Sequence, residues 1–112
     1  MIDIDTLTIA QARELVASLS GFGAAAHAYP VGKNVFVRTV TMSYTGRLVR
    51  VTAGELVIGN AAWIADSGRW ADALSSGNLN EVEPYPDGDV IISRASVVDV
   101  STWAHPLPRT TK

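Results

Sequence analysis

Apolar residues change their spacing along the chain, and each change marks a change of element. Ile9, Ala12, Leu15, Val16 and Leu19 recur three and four residues apart, with Arg13 and Glu14 on the opposite side. That stripe predicts an amphipathic helix of about three turns. Thr8 and Gln11 stand at capping-box spacing before it, and Gly21 offers a left-handed cap after it. Gly21–Gly32 then holds three glycines, a proline and no sustained period, and reads as a loop.

From Asn34 the period falls to two. Asn34–Met42 is rich in β-branched residues, with Val35, Val37, Thr39 and Thr41 on one face and Phe36, Arg38, Val40 and Met42 on the other. Ser43–Gly46 is expected to turn the chain back into Arg47–Thr52 as a hairpin. Ala53-Gly54 and Gly59-Asn60 are expected to be two further turns, leading into Glu55–Ile58 and Ala61–Ala65. Asp66-Ser67-Gly68 can open a short helix, Arg69–Leu74, that packs Trp70, Ala71 and Leu74 and ends at Ser75-Ser76-Gly77. Asn78–Gly88 combines Pro84 and Pro86 with acidic residues and reads as a surface loop. Val90–Ile92 and Ala95–Val100 supply closing strands, and Trp103–Pro108 has too many prolines for regular structure.

This order predicts a mainly β (α+β) fold forming one compact domain over residues 1–108. Its expected form is a small, strongly bent β-barrel of the SH3-like or Sm-like kind, with five or six short strands, an N-terminal helix and a short helix near 68–75. Residues 109–112 are expected to fray.

Composition narrows the function classes. With 112 residues, 47% hydrophobic and 18% charged, the chain can bury one core and lies far from the profile of disordered segments. The absence of cysteine removes disulfides, thiolate nucleophiles and Cys-based metal sites. Only His27 and His105 provide imidazole, so neither a metal site nor a cofactor is expected. A net charge of −2 argues against nucleic-acid binding through bulk charge. The first residues carry acids where a signal peptide carries a basic segment, and no apolar run approaches the ~18 residues of a membrane span. A soluble, cytoplasmic protein is expected.

Catalytic motifs are missing. There is no GxSxG, P-loop, HExxH or GxGxxG pattern, and the acids Glu81, Glu83, Asp87 and Asp89 lack EF-hand spacing. The remaining chemistry is cationic and aromatic. Arg38, Arg47 and Arg50 project from one predicted hairpin, and an arginine among apolar strand residues needs either an acid, Asp66 or Asp99 here, or a ligand anion. Trp63-Ile64-Ala65-Asp66-Ser67-Gly68-Arg69-Trp70 sets two indole rings, an acid and an arginine at a strand-to-helix junction. Rings beside arginines make base-stacking and phosphate-holding sites, and this junction is the leading candidate.

The segments Val37–Thr41, Tyr44–Leu48, Ala61–Arg69 and Trp103–Pro108 resemble those of a family of small, mostly uncharacterised tailed-phage proteins, over roughly residues 30–108. The resemblance brings no catalytic residues. Small phage accessory proteins include oligomeric sponges that hide nucleotide immune signals, so it implies a phage-encoded, non-enzymatic homo-oligomer that sequesters an ADP-ribose-type signal, such as a cyclic ADP-ribose isomer. Arg38, Arg47 and Arg69 would hold phosphates, Trp63 or Trp70 would stack the base, and Tyr44, Thr41 and His105 would bond ribose. One alternative is an Sm-like structural or regulatory oligomer that contacts nucleic acid or another phage protein. Another is a small phosphohydrolase that uses His27 or His105 with nearby acids.

Overall fold

The β signal beginning at Asn34 builds a single antiparallel sheet in the computed structural model, which describes residues 27–112. The helix expected before Gly21 lies outside the described residues. Strands β1 (Asn34–Thr39), β2 (Ser43–Val51) and β3 (Glu55–Asp66) follow one another as a meander. Helix α1 (Trp70–Ser76) comes next, then β4 (Glu81–Pro84), β5 (Val90–Ser93), a 3-10 turn (Arg94–Ser96) and β6 (Val97–Thr102). The sheet order is β4-β3-β2-β1-β6, with β5 also on β3. β2 occupies one edge of β3, so β4 and β5 lie end to end along the other.

Among the described residues no pairing joins β5 to β6, and the expected barrel is not closed. The sheet is nonetheless strongly curved. Flat, the four strand spacings from β5 to β6 would cover about 19 Å at about 4.8 Å each. The four Cα steps from Ser93 to Val97 reach only about 14 Å even when extended. The 3-10 turn spans this gap and is tied at both ends, Arg94 N–H to Gly54 O and Val40 N–H to Ser96 O, each at 2.9 Å.

Three sequence expectations change. Gly59-Asn60 is no turn: β3 runs straight through it as a bulge, with Asn60 at φ 47°, a conformation Asn tolerates better than most side chains. Ser43–Gly46 belongs to β2, because the chain reverses earlier, where Thr39 N–H donates to Met42 O at 2.7 Å. The stretch Asn78–Gly88 contains β4, since Val82 is buried against β3 and repays the pairing. The expected short helix is present, and Gly77 at φ 77° closes it, donating to Ala73 O.

Strand alternation sorts the apolar side chains onto two faces. Val35, Val37, Leu48, Leu56, Ile58, Ala61 and Ile92 form one core. Phe36, Ala62, Ile64 and Val82 point the other way and are covered by Ala73 of α1, Leu79 and Trp103. The bulge sets this division in β3: Ile58 and Ala61 share a face although three residues apart, so Ala62 and Ile64 turn toward α1. The C-terminal residues are not frayed. Lys112 exchanges both backbone hydrogen bonds with Val82, at 2.9 and 3.0 Å. No helix of the described residues is long and apolar enough to cross a membrane.

Candidate functional site

Arg38 follows Phe36 on the α1-bearing face of β1, directly opposite Asp99 of β6. Its Nε donates to Asp99 Oδ1 at 2.8 Å and its Nη2 donates to Oδ2, a bidentate pair in the geometry guanidinium favours. The same guanidinium lies 4.4 Å from the centroid of the Trp70 ring, which packs edge-on against Phe36 at 4.6 Å. The hydrogen bond to Arg38 holds the Asp99 carboxyl below its usual range and raises Arg38 in turn, with burial opposing both. Arg38 and Trp70 therefore meet, but around Asp99.

The two tryptophans of the junction separate. Trp63 alternates with Ala62 and Ile64, so it lies on the face away from α1, while Trp70 packs into the α1 layer. Trp63 stands opposite Tyr44 on one side and Glu83 on the other. It lines a shallow cleft of about 220 Å³ with Met42, Glu83, Pro84, Tyr85 and Pro86. Tyr44 touches two of the lining residues. Its ring centroid is 6.5 Å from that of Tyr85 and its hydroxyl donates to Met42 Sδ at 3.2 Å. Burial pushes the Tyr44 phenol up, and Tyr85 adds to the effect.

The other expected site residues have separate surroundings. Arg69, the exposed residue before α1, borders a polar cup of about 410 Å³ with Asp72, Ser75, Ser76 and Asn80. Thr41 is exposed in the β1–β2 turn. Arg47 is exposed on β2, opposite Asn34 at the far end of β1 from Arg38. Arg47 is thus set apart from Arg38 by the length of β1, and the Arg38 guanidinium is engaged by Asp99.

His105 comes to lie against the end of α1. Its Nε2 is 2.7 Å from Leu74 O, and because a carbonyl can only accept, this bond puts the proton on Nε2. The ring stacks edge-on with Trp103 at 4.8 Å, and Gly77 makes room for it, since a Cβ there would stand 2.6 Å from the imidazole Cγ. His105 lines a second cavity of about 410 Å³ with Ser76, Arg109, Thr110 and Lys112. Arg109 is aimed by two backbone acceptors, Ala61 O at 3.3 Å and Tyr85 O at 3.2 Å. Among the described residues no carboxylate side chain lines this cavity. Among the described residues the sole ion pair is Arg38–Asp99, so Arg109 and Lys112 have no acidic side-chain partner among them.

Sequence reasoning missed Arg109 and Lys112 because a tail after two prolines carries no periodicity. Only the pairing of Lys112 with Val82 brings them to His105. Glu83 and Tyr85 were missed because Pro84 and Pro86 disguise a strand edge as a loop. No family model, curated protein or solved structure matches the chain.

Proposed function

We propose that the protein is a non-enzymatic binding protein that captures a small phosphorylated nucleotide, and that the ligand sits in the C-terminal cavity rather than at the Trp63–Trp70 junction. The observation that carries this reading is the grouping of His105, Arg109 and Lys112 around about 410 Å³, with no acidic side chain among the described residues of the lining. That volume lies in the range of small-molecule sites. Guanidinium and ammonium groups favour phosphate, while Ser76, Thr110 and the His105 Nδ1, the ring nitrogen that Leu74 O does not engage, suit sugar hydroxyls. The Arg38 guanidinium, engaged by Asp99, is not used.

In this reading the biological role is sequestration of an ADP-ribose-type immune signal by a phage-encoded protein, in line with the resemblance of its strand and tail motifs. The fold belongs with SH3-like and Sm-like barrels. The short 3-10 link between edge strands β5 and β6 supports that assignment, because it bends the sheet toward closure. Self-association would use the outer edge of β6, beside which Val40 and Val98 stand 76% and 63% exposed.

Calorimetric titration with ADP-ribose, AMP and inorganic phosphate tests the reading, followed by heat release and mass analysis of the ligand. Saturable binding, lost on Arg109→Ala with Lys112→Ala and followed by intact recovery, is expected. Chemically altered ligand would instead establish an enzyme, and retention of binding in the double variant would move the site elsewhere.

A further inference from the structure

The cleft on the other face has the opposite electrostatic character. Among the described residues it is lined by Trp63, Tyr85, Met42, Pro84, Pro86 and Glu83 and by no cationic side chain, the Arg109 guanidinium that bonds Tyr85 O lining the other cavity. Glu83 forms no ion pair among the described residues, and its side chain borders a wall of aromatic and apolar groups. Ring faces carry the negative lobe of the aromatic quadrupole, a thioether presents lone pairs, and a carboxylate is an anion. All three attract positive charge and repel phosphate. The prolines and Met42 add apolar surface that would be wasted on a small, strongly hydrated ion. At about 220 Å³ the cleft is below the ~300 Å³ at which drug-sized sites begin, so it fits one chemical group rather than a whole large ligand.

We propose that this cleft is a binding site for an alkylated ammonium group, held over the Trp63 and Tyr85 rings with its charge facing Glu83. The rings are placed for the task by the backbone. Trp63 and Glu83 are register partners across β3 and β4, and Tyr85 continues from β4 with its amide bonded to Ala61 O at 2.8 Å. The Tyr44 ring is a neighbour of the Tyr85 ring, tilted 32° to it. The site is separate from the C-terminal cavity. Alternation along β4 turns Val82 toward that cavity and Glu83 toward the cleft, so one strand presents an anion site on one side and a cation site on the other.

The test is an NMR titration of the full chain that follows the Trp63 indole signal, assigned with Trp63→Phe. Four probes are used: choline, a peptide carrying trimethyllysine, the neutral choline isostere 3,3-dimethylbutanol, and adenosine. Saturable shifts with choline or the peptide are expected. The neutral isostere should bind about tenfold more weakly, because it keeps the shape and loses the cation–π attraction. Glu83→Gln, a change at an exposed position that leaves the fold intact, should weaken cation binding severalfold. Saturation by choline would assign a free small molecule, and by the peptide alone a protein side chain. Equal binding of the neutral isostere, indifference to Glu83→Gln, or saturation by adenosine in place of the cations would overturn the proposal. These outcomes leave nucleotide binding at Arg109 and Lys112 untouched.

Discussion

Arg38 and Asp99, 61 residues apart in sequence, lock strands β1 and β6 together through a two-pronged ion pair laid over the Trp70 ring. The pair joins three parts of the fold, since β6 is the last strand and Trp70 opens α1. It also engages the guanidinium of Arg38 with one of the two acids the sequence offered it.

The pair makes stability depend on pH in a definite direction. Asp99 has its folded pKa lowered, first by the hydrogen bond from Arg38, so in the acid range the unfolded chain takes up this proton before the folded one. Its contribution is therefore complete above the ordinary carboxylate value of about 4 and fades as pH falls through the lower folded value. Urea melts at a series of pH values should show wild type and Asp99→Asn differing by a constant amount at neutral pH and converging in acid. Both side chains are about 40% exposed, so salt should shrink the difference.

Thr45 is fully buried between β1 and β3, and its hydroxyl has no hydrogen-bond partner among the described residues. Thr45→Val keeps the β-branched shape and removes the stranded polar group. It should stabilise the protein by about 1 kcal/mol, read as a higher urea midpoint with an unchanged slope. A loss of stability would mean that the hydroxyl is satisfied in solution.

Glycine is required at some positions and incidental at others. A Cβ at Gly46 would press on Ile58 Cβ and Cδ1 at 3.0 Å and on Gly59 O at 3.1 Å, so Gly46→Ala should cost about 1–3 kcal/mol. Gly54 has nothing within 4 Å, and Gly54→Ala should stay within about 0.5 kcal/mol of wild type. Gly77→Ala combines a left-handed φ, about 1–2 kcal/mol by itself, with collision against His105. Thermal melts rank the three, and Gly77→Ala should also impair nucleotide binding by displacing the imidazole.

If nucleotide binding rests on the two tail cations, its affinity should fall as salt rises, and Lys112→Ala alone should flatten that dependence. Arg47→Ala, on a distant exposed position of β2, should leave it unchanged. Equal effects from the two single variants would point to bulk charge rather than a site.

Self-association through β6 predicts a light-scattering mass above that of the 11.9 kDa chain and a return to monomer on Val98→Lys, which places a charge beside the open edge. A monomer at micromolar concentration in the unaltered protein would end this reading.

The alternation of β1 is local information. Val35 and Val37 against Phe36 and Arg38 can be read directly from the sequence, and the structure puts them on opposite faces as a period of two requires. The end of α1 was legible for a similar reason, because a left-handed cap is a property of one glycine. The aromatic and cationic residue types of a binding site were visible too. Their grouping was not: Trp63 and Trp70 were read as one site, yet a strand places neighbours on alternate faces and the helix returns on only one of them.

What the chain determined by itself is thus its β-rich character, the two-faced pattern of its first strand and the glycine at which its short helix stops. The fold decided the rest. Gly59-Asn60 becomes a bulge because β2 pairs past it on one edge while β4 and β5 extend the other. Arg38 finds Asp99 because β6 crosses to β1. Arg109 and Lys112 reach His105 because the tail pairs with Val82. Each of these depends on contacts between residues far apart in sequence, whose energy no local pattern encodes, and so the placement of both cavities became visible only once the strands were paired.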